Sequence, residues 1–193
     1  MEFDKEFWNQ RYIDNETGWD LGSVAPPLKS YFDQLKNKEL KILIPGCGNA
    51  YEAEYLFNIG FKNVFLIDLS PTALKQFEER VLNFPKEQLI CNDFFNHKEN
   101  YDLIIEQTFF CAINPSLRAN YAKHSSKLLN TSGKLVGLLF NDKLNIDHPP
   151  FGGSKQEYLN YFSPYYCIDV MQTAYNSVKP RSGRELFIKL ILK

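Results

Sequence analysis

The stretch Leu40-Lys41-Ile42-Leu43-Ile44-Pro45-Gly46-Cys47-Gly48-Asn49-Ala50 decides how the rest of the chain is read. Its apolar run stops at Pro45 and enters two glycines one residue apart, and Tyr51-Glu52-Ala53-Glu54-Tyr55-Leu56-Phe57 continues as a helix. Strand, glycine turn, helix is the order that brings backbone close to a ligand and aims a helix N-terminus at it. About twenty residues further on, a second apolar run, Val64-Phe65-Leu66-Ile67, ends in Asp68. A carboxylate at the end of the neighbouring strand can accept hydrogen bonds from ribose hydroxyls. Together the two features read as the adenosine end of a nucleotide-type site.

The turn itself narrows the choice of ligand. A dinucleotide site needs a third glycine beneath the pyrophosphate, and that place holds Tyr51, whose ring obstructs the approach. No G-K-[ST] follows, so the turn is not a phosphate loop either. A ligand with a ribose and no pyrophosphate suits it better, and S-adenosylmethionine (SAM) answers that description.

Outward from this core the pattern alternates strand and helix, which predicts a mostly parallel sheet covered on both faces. Strands are expected over 40–45, 63–68, 88–91, 101–106 and 134–140, the last entered through a turn at Thr131-Ser132-Gly133. Helices are expected over 50–59, from Pro71 behind a Ser70 cap with Leu74, Phe77, Val81 and Leu82 inward, and from Pro115 to about Leu129. After a long loop holding His148-Pro149-Pro150-Phe151-Gly152-Gly153, a short helix over 155–161 precedes strands over 165–172 and 185–192. So little helix separates those two that they should pair antiparallel. The expected seven-stranded sheet with a C-terminal antiparallel strand is the α/β, Rossmann-like arrangement of a methyltransferase rather than of a dinucleotide enzyme. Upstream, Phe3, Phe7, Trp8 and Tyr12 recur at helical spacing, and a second helix opens at Pro26-Pro27. Residues 1–39 are expected to form a helical lid on one domain spanning 1–193, with 40–193 as the sheet core.

Composition bounds the function. With 193 residues, 44% hydrophobic, and a formal net charge of −1, the chain can bury one core and offers no electrostatic reason to bind nucleic acid or an anionic membrane. Sixteen Phe, eleven Tyr and two Trp leave room for an aromatic-lined pocket. The four cysteines (Cys47, Cys91, Cys111, Cys167) form no C-x-x-C pair, and three of them read as buried free thiols of a reducing compartment. Three scattered histidines argue against a metal site. No apolar run has the length of a membrane span, and Met1-Glu2-Phe3-Asp4-Lys5-Glu6 lacks the order of a signal peptide. The expectation is a cytoplasmic monomer acting on a small molecule.

Ligands of such sheets sit beyond the C-terminal ends of the strands. The candidates there are Gly46 and Gly48; Asp68 for the ribose; Asn92, Asp93 and Phe94 for the adenine; and Gln107 for the methionine end. The rings of Trp8, Tyr12, Trp19, Phe109 and Phe110 could face a sulfonium, each contributing about 0.5–2 kcal/mol when desolvated. Phe109, Phe110 and Phe151 are the candidates for an acceptor pocket. No His–Asp or Cys–His pair stands out as a catalytic unit; Asp20, Asp142 and His148 are nominal bases, and Arg181 and Arg184 could attract an anion or serve in surface ion pairs.

Four motifs then carry a likeness: Phe7-Trp8-x-x-Arg11-Tyr12; Thr17-Gly18-Trp19-Asp20-Leu21-Gly22; Ile44-Pro45-Gly46-Cys47-Gly48-Asn49-Ala50; and Glu106-Gln107-Thr108-Phe109-Phe110-Cys111-Ala112-Ile113-Asn114-Pro115. In this order the chain resembles the thiopurine S-methyltransferase family, and within it the halide and thiol methyltransferases of plants and fungi. The resemblance implies a class I SAM-dependent methyltransferase with an N-terminal lid, acting on a soft nucleophile such as a thiol, hydrosulfide, halide, thiocyanate or thiopurine sulphur. It implies SAM contacts from Trp8, Tyr12, Trp19, Gly46 and Asp68, with Asn92, Asp93 and Phe94 by the adenine and Gln107 after the fourth strand. Tyr12 stands where the family often has Trp, Asn49-Ala50 where it has a small pair, and Gln107 where relatives carry Tyr or Arg. The alternatives are the same fold acting on another small molecule, a SAM-binding protein without turnover, and a nucleotide-dependent oxidoreductase, which Tyr51 disfavours.

Overall fold

Seven strands form a single sheet in the order β3-β2-β1-β4-β5-β7-β6. The computed structural model describes residues 3–193; Met1 and Glu2, which open the stretch read for a signal peptide, lie outside them. Along the chain the elements are α1 (Lys5–Ile13), α2 (Pro26–Phe32), β1 (Ile42–Pro45), α3 (Tyr51–Asn58), β2 (Val64–Asp68) and α4 (Pro71–Arg80). They continue with β3 (Leu89–Cys91), β4 (Tyr101–Gln107), α5 (Arg118–Lys127), β5 (Leu129–Phe140), α6 (Lys155–Phe162), β6 (Tyr166–Thr173) and β7 (Glu185–Leu192). Strands β1 to β5 pair in parallel, and β7 runs antiparallel to both β5 and β6, as the short connection before it requires.

Strand order reverses at β1, which pairs with β2 on one side and β4 on the other. A crevice opens at such a switch point, beyond the strand ends. Alternation along β1 sends Ile42 and Ile44 to the face covered by α2, α3 and α4, where they meet Leu28, Phe32, Leu56 and Phe77. Leu43 points the other way, into a cluster with Ile104, Tyr121 of α5 and Phe162 of α6. Both faces are therefore dry, which explains why the strands read as near-continuous apolar runs.

Several expectations need correcting. α2 is not lid: its Leu28 and Phe32 are fully buried on the sheet, so only α1 and the loop after it overhang the strand ends. Leu82 is 83% exposed, because α4 stops at Arg80 and Val81 leaves the helical region; Phe84 takes its place, 4.9 Å from the Phe77 ring. Strand β5 starts at Leu129, not at Lys134. Leu129 is buried and pairs with Tyr101, so Thr131-Ser132-Gly133 forms an irregularity within the strand, with Ser132 at φ +63°. Of the cysteines, Cys111 is buried and Cys47 partly so, while Cys91 and Cys167 are exposed on the edge strands. Among the described residues no helix is long and apolar enough to cross a membrane, and no cluster of His, Cys, Asp and Glu could hold a metal ion.

Candidate active site

The glycine turn leaves β1 in left-handed backbone, with φ +55° at Gly46 and +51° at Gly48. Neither could carry a side chain. A Cβ on Gly46 would lie 2.3 Å from the Phe109 ring, and one on Gly48 2.5 Å from the Tyr12 hydroxyl. Asn49-Ala50 keeps the turn closed, the Ala50 N–H donating to the Cys47 carbonyl at 2.8 Å.

Register places Pro45 beside Ile67, so Asp68 follows at the next strand end. Its Oδ2 accepts from the Gly48 N–H (2.9 Å) and its Oδ1 from the Ser70 N–H (2.8 Å). A carboxylate has about four acceptor sites, so these bonds leave room for a further donor. Burial pushes the carboxyl upwards, against the pull of the Ser70, Gly48 and Leu69 amides.

α1 is docked by named bonds. Asn9 Oδ1 of α1 accepts from the Ser70 hydroxyl (2.9 Å) and the Thr72 N–H (3.1 Å) at the start of α4. That docking sets Trp8 and Tyr12 on the inner side. Trp19 from the following loop meets them edge-on, with ring centroids 5.7 Å from Trp8 and 6.1 Å from Tyr12. Asp20, a nominal base in the sequence, is instead a tie: its carboxylate accepts from the Gly22 N–H (2.7 Å), the Asn49 amide and the Tyr51 hydroxyl. Burial, with Asp68 nearby, raises the Tyr12 phenol far from ionisation.

The opposite wall follows β4. Glu106 is fully buried; Oε1 accepts from the Phe109 N–H (2.9 Å) and the Phe110 N–H (2.8 Å), and Oε2 from the Tyr121 hydroxyl (2.6 Å). It shapes the turn in which Thr108 takes φ +58°, and that turn lays Phe109 on the Gly46 backbone. Gly137, opposite Glu106 on β5, leaves the room: a Cβ there would come within 2.3 Å of the Glu106 carbonyl oxygen. Composition and spacing did not single Glu106 out, although an acid inside Leu103-Ile104-Ile105-Glu106 is a signal, since a buried carboxylate needs partners.

Burial pushes Glu106 from 4.5 up to about 7, overriding its three donors. A raised carboxyl contributes most to stability below the unfolded value and loses that contribution as pH rises through the folded one. Thermal melts between pH 4.5 and 8 should therefore show a Glu106-dependent fall in stability that runs from about 4.5 to about 7 and levels off above it, and Glu106→Gln should flatten it.

A cavity of about 1230 Å³ joins these walls. Trp8, Tyr12, Trp19, Gly46, Gly48, Asp68, Asn92, Asp93, Phe94, Gln107 and Phe109 all line it. Gln107 Oε1 is buried and makes no hydrogen bond within the chain. Asp93 caps a short turn through the Phe95 N–H (2.9 Å), and Asn92 Oδ1 accepts from the Asp93 N–H (2.8 Å). Two acceptor-pocket expectations fail. Phe110 turns into the core against Tyr121, Tyr158 and Phe162, because the Glu106 clamp fixes adjacent residues on opposite sides. Phe151 is buried behind Phe3, which takes the wall position itself. Residues that sequence reasoning left out of the pocket include Phe3, Phe7, Cys111, Ala112 and Leu144.

This fold, with its crevice at the switch point of a 3-2-1-4-5-7-6 sheet, is that of the class I SAM-dependent methyltransferases. The Burkholderia thailandensis 1,6-didemethyltoxoflavin-N1-methyltransferase, solved with 1,6-didemethyltoxoflavin and S-adenosylhomocysteine, matches it with TM-score 0.77 at 12% identity over 98% of this chain and 87% of that one. A TehB-like SAM-dependent methyltransferase from Corynebacterium glutamicum matches with TM-score 0.69 at 17% identity over 98% of both chains. The family model described as thiopurine S-methyltransferase matches residues 3–187, and the chain belongs to that family. Its relatives include a probable thiol methyltransferase 2 of Arabidopsis thaliana, 29% identical over 92% of this chain and 81% of the relative. A thiocyanate methyltransferase 1 of Brassica oleracea is 27% identical over the same shares, and a thiopurine S-methyltransferase of Vibrio cholerae is 26% identical over 82% and 81%.

Proposed function

We propose that this chain transfers the methyl group of SAM to a small, soft, anionic acceptor: a thiolate, hydrosulfide, thiocyanate, iodide or thiopurine sulphur. The residues suit the cofactor piece by piece. Asp68 offers its free lone pairs to the ribose, Asn92, Asp93 and Phe94 bracket the adenine, and Gln107 Oε1 accepts from the ammonium of the methionine end. The Gly46–Gly48 backbone lets the ligand lie close, and Trp8, Tyr12 and Trp19 turn rings towards a cation. When bound, SAM supplies a methyl group activated by a sulfonium.

The single observation that carries the anionic acceptor is the largely apolar wall of the cavity beside Phe109. Of the nominal bases, Asp20 and His148 line the cavity, and His148 sits on an exposed loop with its Nδ1 3.0 Å from the Pro149 carbonyl oxygen. Phe3, Phe7, Phe109, Ala112, Leu144 and Pro149 are apolar. Asp20 is tied to the glycine turn, and Asp142 is held below the usual carboxylate range by Arg184. The thiols beside the site stay protonated: burial and Glu106 push Cys111 up to about 12, and burial with Asp68 pushes Cys47 well above its ordinary range. Protonated thiols are poor nucleophiles, so the protein's own sulphurs do not compete for the methyl group. What the chain contributes is alignment and water exclusion, worth up to roughly 7–11 kcal/mol in well-oriented systems. A cytoplasmic location, suited to four free cysteines, and a monomeric state belong to the same proposal.

The test is a panel of acceptors read by formation of S-adenosylhomocysteine. With a thiol, kcat/KM should rise tenfold per pH unit below the acceptor's own pKa; with iodide it should be flat over the same range. A thiol profile that follows an enzyme group instead, or no turnover with any soft anion, contradicts the proposal.

A further inference from the structure

Among the described residues lining the cavity, the buried cation is Arg181, in the loop between β6 and β7. Its Nη2 donates to the Trp19 carbonyl oxygen at 2.6 Å, and its Nη1 to Glu185 Oε1 at 3.3 Å. The guanidinium carbon stands 5.5 Å from the Phe140 ring centroid. Glu185 opens β7 and is itself buried, so the guanidinium is anchored to the sheet on one side and reaches the lid loop with the other.

The remaining ties on that loop come from a different quarter. Asp20 accepts from Asn49 and Tyr51, and the Ala25 N–H donates to Glu52 Oε1 at 3.0 Å, all at the start of α3. Trp19 therefore sits between two supports, one from the parallel half of the sheet and one from its antiparallel end. Burial raises both the Glu52 carboxyl and the Cys111 thiol, and the Arg181 charge offsets part of each shift.

We propose that Arg181 is a positioning residue for the cofactor: by holding the Trp19 carbonyl it fixes the indole against Trp8 and Tyr12 and so completes the aromatic cage. The cage is thus set from the β6–β7 loop as well as from the lid. This rests on the SAM reading above, and the experiment separates the two. Titration calorimetry with S-adenosylhomocysteine on wild type, Arg181→Gln, Arg181→Lys, Trp19→Ala and the Arg181→Gln/Trp19→Ala double variant reads it directly, with melting curves alongside. Losing a charged hydrogen bond should weaken binding by about tenfold or more in Arg181→Gln, and Arg181→Lys, which keeps Glu185 paired, should restore part of it. If Arg181 acts through Trp19, the double variant should bind no worse than Trp19→Ala alone. Wild-type affinity in Arg181→Gln, a fall in melting temperature without a fall in affinity, or losses that add in the double variant would overturn the proposal. Failure of the wild type to bind would overturn the SAM reading instead.

Discussion

Glu106→Ala is expected to cost about 4–6 kcal/mol, most of the stability a domain of this kind has to spare. Truncation leaves the Phe109 and Phe110 amides and the Tyr121 hydroxyl without an acceptor in a place that water does not reach. Each orphaned donor costs about 1–3 kcal/mol, and the void adds to that. For a chain of this length, about 2–4 °C is lost per kcal/mol, so the melting temperature should fall by roughly 10 °C or more. Glu106→Gln is the control. Its Oε1 can keep both amides while the Tyr121 oxygen turns to accept from Nε2, so at pH 8 it should match or exceed the wild type. Equal melting temperatures for the alanine and glutamine variants would mean that the clamp does not hold the turn.

Gly46→Ala should weaken cofactor binding severely with a smaller effect on the fold. The left-handed backbone costs an L-residue about 1–2 kcal/mol. The new Cβ would also meet Phe109 at 2.3, 2.6 and 2.9 Å along its ring and Cβ, and the Phe109 Cβ is held in place by a backbone whose amide Glu106 grips. Turn and ring must separate, and both line the cavity. Affinity for S-adenosylhomocysteine should fall by about a hundredfold or more, equivalent to 2.7 kcal/mol, when read by calorimetry on protein that still melts cooperatively. Retained affinity would show that the turn does not carry the ligand.

How much of this was legible in the sequence depends on the range of the physics involved. The alternation of strand and helix, the glycine turn and the antiparallel ending follow from local patterns, and the sheet has that form. Boundaries went astray where packing overrode a local signal, as when buried Leu129 drew a turn sequence into β5 and Phe84 displaced Leu82 from the core. Gly46, Asp68 and Phe94 line the cavity at the strand ends, where position follows from the topology. The wall beside Phe109 was not legible in this way. Whether Phe109 or Phe110 faces the cavity depends on which amides Glu106 binds, and Arg181 meets Trp19 across 162 residues of chain.

Binding of S-adenosylhomocysteine to the wild-type protein tests the central claim most directly. Calorimetry should give one site per chain, and ligand at 100 times its dissociation constant should stabilise the fold by about 2.7 kcal/mol, raising the melting temperature by roughly 5–10 °C. No heat and no shift at millimolar ligand, or a response to NAD(H) in its place, would contradict the account.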